Sequence, residues 1–195
     1  MNERMCFNDH INRVTSSAMR VLGFIRRFSK EFSDHNIMIL LYRSLVRPHL
    51  EYCNIVWSPF TVNGVKRIES VQHKFTEFAC KRMIPQRHLS YDNRCLYLNL
   101  ENLEIRRKKA DLLFVSEVLN GSVNCSRILR EINLYVSHRG IRPKSFLKEM
   151  NVHNTDYGRN NPMSRMIRSF NDVQDIFDFH ITQDKFRQLL KSFQF

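Results

Sequence analysis

The sequence predicts a mainly α-helical protein: a bundle of amphipathic helices followed by a helical, partly irregular extension. Three observations carry that expectation. Glycine and proline number five each in 195 residues, less than half the usual share, so the chain lacks the breakers that a sandwich of short strands requires. Apolar residues recur at spacings of three and four along much of the chain, the period of a helix with one buried stripe. The hydrophobic fraction is 43%, including 15 Phe, enough to fill a sizeable core.

Taken in order, the first helix runs from His10 to about Lys30. Its apolar stripe is Ile11, Val14, Ala18, Val21, Leu22, Ile25 and Phe28, and Arg13, Arg20 and Arg27 recur seven apart on another side. Ser33 or Asp34 caps a second helix from Ile37 to about Arg47. Pro48 interrupts or kinks it, and His49 to Trp57 continues as helix with Leu50, Ile55, Val56 and Trp57 buried before Ser58-Pro59 ends it. Thr61 or Asn63 caps a third helix, Val65 to about Met83, whose apolar side is Val65, Ile68, Phe75, Phe78 and Ala79. After a loop from Pro85 to Ser90 come a short helix around Tyr91 to Leu98 and a long one from about Glu101 to Asn120, stopped by Gly121. Ser126 to Glu131 makes another helical turn or two, Ile132 to Ser137 is the best strand candidate, and Ser137 to Asn161 reads as irregular and basic. Helical patterns return near Met163 to Asn171 and Thr182 to Phe193. A boundary near residue 122 separates a bundle (1–121) from an extension (122–195).

Charge narrows the function. Lys and Arg total 31 against 19 Asp and Glu, a formal net charge of +12, which points to a polyanionic partner. The candidate nucleic-acid contacts are Arg13, Arg20 and Arg27 on the first helix, Lys66, Lys74, Lys81 and Arg82 on the third, Arg106, Arg107, Lys108 and Lys109 on the long helix, and Arg139 and Arg142 in the irregular stretch. A four-residue basic run covers every side of a helical turn, so at least one of Arg106 to Lys109 is expected to pack along its stem.

Several chemistries lack the residues they need. The five cysteines stand at least fifteen residues apart without a CxxC pair, so they form no zinc ribbon or knuckle and are expected to be mostly reduced core residues of an intracellular protein. There is no Asp-Asp pair of the kind that holds two catalytic metals. Asp172, Asp175 and Asp178 share one helical face and read as a solvated acidic surface. No G-x-S-x-G elbow, P-loop or H-E-x-x-H occurs. No catalytic residue, metal, cofactor or small-molecule site is expected. The longest aliphatic run, Ile37 to Leu41, is far shorter than the roughly 20 residues that cross a bilayer.

Two segments, AMRVLGFIRR (Ala18 to Arg27) and LYRSLVRPHLEYCNIVWSP (Leu41 to Pro59), resemble the region behind the palm in reverse transcriptases of jockey-like, LINE-type non-LTR retrotransposons. The likeness continues through Arg67-Ile68-Glu69-Ser70-Val71-Gln72-His73-Lys74-Phe75, similar to that family's I-E-x-V-Q-x-K-F, and reappears at Leu103 to Arg107 and Leu119-Asn120-Gly121. Weaker matches follow at Asn161-Pro162, Arg165 and Asn171. The resemblance implies a polymerase thumb with its C-terminal helical extension, binding RNA, DNA or an RNA–DNA hybrid through the backbone without base readout. In that family the fingers and palm precede this region and carry the F/Y-x-D-D carboxylates. Met1 falls where the palm ends, so the expectation is a truncated, non-catalytic fragment, with a palm and fingers half in trans as a candidate partner. Two alternatives stand beside it. One is a helical protein-interaction module using the aromatics around Tyr42, Tyr52, Trp57 and Phe60. The other is an inert relic with an exposed apolar flank near Ile11, Val14 and Phe24.

Overall fold

The computed structural model describes residues 7–29, 35–85, 88–134, 146–148, 154–177 and 181–193. The described chain is mainly helical, with one two-stranded sheet. It divides into two compact units, Met1–Arg107 and Lys108–Phe195.

In the first unit, α1 (Asn8–Phe28) follows its apolar period. Ile11, Ala18, Leu22 and Ile25 are buried, Val14 and Val21 half-buried. Phe28 departs from expectation and is exposed, because at 100° per residue it lies about 90° from the mean direction of those four buried residues. The chain returns along α2 (His35–Leu41), a π-turn (Tyr42–Val46) and α3 (Arg47–Glu51). Pro48 therefore does not end the helix. Its ring would press on the carbonyl four residues back in a regular α-helix; here the turn before it is a wider π-turn, in which the Arg47 N–H donates to the Tyr42 carbonyl.

The break comes later, at Tyr52 and Cys53. Cys53 adopts a left-handed φ of 52°, and α4 (Asn54–Trp57) starts afresh. This divides the aromatics. Tyr42 and Trp57 are buried, and the Trp57 indole N–H donates to the Tyr52 carbonyl at 2.7 Å. Tyr52, Val56 and Phe60 are exposed, so Val56 too departs from expectation.

The longest helix, α5 (Val62–Met83), is capped by Thr61, whose hydroxyl accepts from the Gly64 N–H at 3.2 Å. It runs parallel to α1. Arg67 donates to the Asn12 side chain near the starts of both helices, the Arg26 guanidinium lies over the Phe78 ring further along, and Arg82 donates to the Ser29 hydroxyl at 3.3 Å near their ends. Gly64 is demanded by packing: a methyl group there would stand 2.9 Å from the Pro59 Cβ and 3.0 Å from the Thr61 hydroxyl.

The buried face of α5 meets α6 (Tyr91–Tyr97), capped by Ser90, and the start of α7 (Leu103–Leu119). Gln72, fully buried, connects them. Its side-chain oxygen accepts from the Tyr42 hydroxyl at 2.9 Å, and its amide donates to the Tyr91 hydroxyl at 3.2 Å and the Glu101 carbonyl at 3.0 Å. Glu69 accepts from the Tyr91 hydroxyl and, at 3.2 Å, from the Leu103 N–H. Burial first, and then the Glu69 charge, raise the Tyr42 phenol well above its ordinary range; burial and the Glu69 bond do the same to Tyr91. Both hydroxyls remain donors. Tyr42 also stacks on Phe75, with centroids 4.1 Å apart.

The second unit holds the rest of α7, α8 (Ser126–Glu131), α9 (Asp156–Arg159), α10 (Pro162–Asp172) and α11 (Gln183–Ser192). Strands β1 (Asn133–Leu134) and β2 (Leu147–Lys148) pair antiparallel, with Asn133 opposite Lys148. β1 falls within the expected strand, whose residues 135–137 lie outside the described ones. The stretch expected to be irregular contains β2 and α9. The Asn171 amide accepts from the Leu147 N–H at 2.8 Å and donates to its carbonyl at 2.9 Å, completing the edge of β2. Phe177 packs edge-on to Phe170 and Phe186, and Arg165 holds buried Asp111 through two bonds of 2.8 and 3.2 Å. Asp172 and Asp175 do not share one α-helix, since α10 ends at Asp172 and Asp175 lies in a 3-10 turn; Asp178 is outside the described residues. The unit boundary also differs from residue 122. The first residues of α7 belong with the first core through Leu103 and Arg106, whereas Asp111 and Glu117 bond to Arg165 and Gln183.

Two substitutions near α4 separate core from surface. Trp57→Ala should lower unfolding free energy by about 3–5 kcal/mol, while Tyr52→Ala should change it by no more than about 0.5 kcal/mol, both read by urea denaturation. Gly64→Ala, normally favourable in a helix, should instead cost about 1–3 kcal/mol through overpacking. A third test concerns His10, which lies edge-on to Trp57 and whose pKa is held below its ordinary 6.5, by burial first and then by Arg13. The unfolded chain therefore binds a proton more readily, so stability is retained above pH 6.5 and falls as the pH drops toward the lowered value. His10→Gln should flatten that part of the wild-type stability profile.

Candidate nucleic-acid interface

Positions seven apart on a helix recur on nearly the same side and about 10.5 Å further along. Arg13, Arg20 and Arg27 obey that rule on α1; Arg67, Lys74 and Lys81 obey it on α5. All six are exposed. Because α1 and α5 are parallel neighbours, the two rows run in the same direction. The α1 row stands opposite that helix's buried line. The α5 row borders the groove between the helices, together with Arg26 of α1. Seven cations thus share one two-helix surface.

The acids of these helices lie mostly elsewhere. Glu69 points inward to Tyr91 and Leu103, and Asp9 sits in the first turn of α1. Glu77 is the acid that lines the groove, bonded to Lys81 at 2.6 Å, and that bond holds its carboxyl below the usual range. The groove spans about 430 Å³ next to Met19, Leu22 and Phe78. The Arg26 guanidinium lies 5.6 Å from the centroid of the Phe78 ring, a cation–π distance.

The remaining candidates are placed differently. Lys66 is exposed at the edge of the α5 row, and half-buried Arg82 is anchored to Ser29. Arg106 is bonded to Glu51 of α3, its second nitrogen at 3.0 Å, which raises its already high pKa. Arg107 is buried, its guanidinium nitrogens as well as its stem, so the run does not simply lay one stem along the surface. Lys108 and Lys109 belong to the second unit, one exposed and one half-buried. Arg139 and Arg142 lie outside the described residues. Arg26 and Arg67 were not among the candidates. The seven-residue step to Lys74 and Lys81 marks Arg67 in the sequence, but only the packing of α1 on α5 brings Arg26 to Phe78.

Of the cysteines, Cys80 and Cys95 are buried, with thiols raised by burial; Cys125 is half-buried and Cys53 exposed. Cys6 is outside the described residues. Among the described residues, no three His, Cys, Asp or Glu side chains are grouped so as to hold a metal ion, and no helix is long and apolar enough to cross a membrane. The chain matches no family model, no curated protein and no solved structure.

Proposed function

We propose that this chain is the thumb and post-thumb part of a non-LTR retrotransposon reverse transcriptase, and that it grips the sugar–phosphate backbone of RNA, DNA or an RNA–DNA hybrid without sequence readout and without performing the polymerisation chemistry. The observation that carries the reading is the α1–α5 surface, where Arg26, Arg67, Lys74 and Lys81 border a groove whose lining acid is Glu77, and Arg13, Arg20 and Arg27 stand exposed on α1. Parallel rows of cations at a fixed pitch suit a polymer of regularly spaced phosphates, and flexible exposed side chains supply charge without base selectivity. The residues that resemble that family, from Ala18 to Arg27 and from Arg67 to Phe75, lie on these two helices, which supports the same reading.

A second reading, a helical protein-interaction module, is favoured by one observation. Tyr52 is 78% exposed, Val62 67%, Val56 54% and Phe60 45%, all within a short stretch of chain. Large apolar groups grouped on a surface suit a protein partner better than a phosphate backbone.

The first reading is tested by salt. About six phosphate contacts should give a slope of roughly −5 for log affinity against log salt on a duplex. Changing Arg13, Arg20 and Arg27 together to alanine should reduce the magnitude of that slope by about 3 while leaving the fold intact by circular dichroism. Hybrid binding that is indifferent to salt would sink the proposal. Tyr52→Ala should leave hybrid affinity unchanged; a loss would place the nucleic acid on the aromatic patch instead.

A further inference from the structure

Gly23 stands in the middle of α1, where glycine weakens a helix relative to alanine. The packing does not demand it. A methyl group at Gly23 would meet no atom within 4 Å, in contrast with Gly64, where the same group would clash. What Gly23 faces is the groove between α1 and α5. A glycine that its own fold does not need, at the wall of an open groove, suits close approach of something from outside.

The groove has two chemistries. Met19, Leu22 and Phe78 make an apolar floor, and Arg26, Lys74 and Lys81 make a cationic rim. A fully paired duplex would satisfy the rim but offer the floor nothing, since its bases are stacked inside. An acidic helix would also meet the rim. Yet the positions where it would have to pack, Asn12, Ser16, Ser70 and Lys74, are polar rather than apolar. An unpaired nucleotide matches both parts: a flat, largely apolar base and flanking phosphates. Aromatic rings and arginine guanidinium planes are the surfaces on which single-stranded bases stack, and Phe78 with Arg26 supplies one of each.

We infer that the α1–α5 groove holds one unstacked base of a single-stranded segment against Phe78 and Arg26, with the adjoining phosphates on Lys74 and Lys81, and that Gly23 keeps the groove open for it. This rests on the reading of the α1–α5 surface as a nucleic-acid interface, and names single-stranded rather than duplex nucleic acid as the occupant of the groove.

The test uses the full chain and three fluorescent probes of equal length: a single-stranded oligonucleotide, the same strand with abasic sugars, and a blunt duplex. Gly23→Leu should fill the groove, lowering affinity for the intact single strand at least about fivefold while leaving duplex and abasic-strand affinity unchanged. The wild-type chain should bind the abasic strand more weakly than the intact one by a similar factor. Gly23→Ala controls for folding and should raise Tm by about 2–4 °C. Unchanged single-strand affinity in Gly23→Leu overturns the inference, as does an equal loss on all three probes. If the wild-type chain binds none of the probes, the nucleic-acid reading of the surface fails as well, which distinguishes the two failures.

Discussion

The first unit depends on how one buried amide is satisfied. Gln72 has no exposure, so each polar atom of its side chain needs a partner inside the protein. It finds them on three separate segments: the Tyr42 hydroxyl in the π-turn, the Tyr91 hydroxyl on α6, and the Glu101 carbonyl just before α7. Glu69, three residues earlier on the same helix, accepts from Tyr91 and from the first N–H of α7. In an apolar interior such bonds hold position more strictly than packing does, because losing a partner leaves a costly orphan. They fix the start of α7 and the approach of α6 relative to α5. With that side of α5 occupied, its opposite flank and α1 are left as a free basic surface.

This arrangement separates the roles of residues that adjoin in sequence. In Arg67-Ile68-Glu69-Ser70-Val71-Gln72-His73-Lys74-Phe75, the members Ile68, Val71, Gln72 and Phe75 are buried, while Arg67 and Lys74 are exposed along the groove. A helical turn of 3.6 residues makes the alternation unavoidable. The same stretch that ties the bundle together therefore also lays out cations at a regular pitch. A charge change at Lys74 and a core change at Gln72 should have unrelated consequences, one on binding and one on folding, although only His73 separates them.

Much of the fold was legible in the chain. Most helix spans, the Thr61 start (one of the two caps the sequence offered) and the Gly121 stop follow from apolar period and cap chemistry, which act locally. Gly121 adopts a φ of 70°, the conformation for which glycine is suited. Less legible was the passage from Leu41 to Trp57. Proline chemistry argued for an interruption or kink at Pro48 with helix continuing to Trp57; a π-turn precedes Pro48, and the break falls at Cys53, a residue with no turn signal of its own. Nor did hydrophobicity distinguish Trp57 from Tyr52, five residues apart, of which one is buried and the other is among the most exposed side chains.

What the sequence by itself determined was the helical class, the excess of 12 positive charges and the seven-residue recurrence of arginine on α1. These are properties of composition and of spacing within one helix, and a period can be counted without knowing what lies opposite. The tertiary structure decided which cations share a surface. Arg106 is drawn to Glu51, Arg107 is buried, and Arg26 and Arg67 join Lys74 and Lys81 along one groove. That outcome depends on α1 and α5 lying parallel and in a particular register. Contacts between residues some 55 apart, such as Asn12 with Arg67, set that register, and no local pattern encodes a partner that far along the chain.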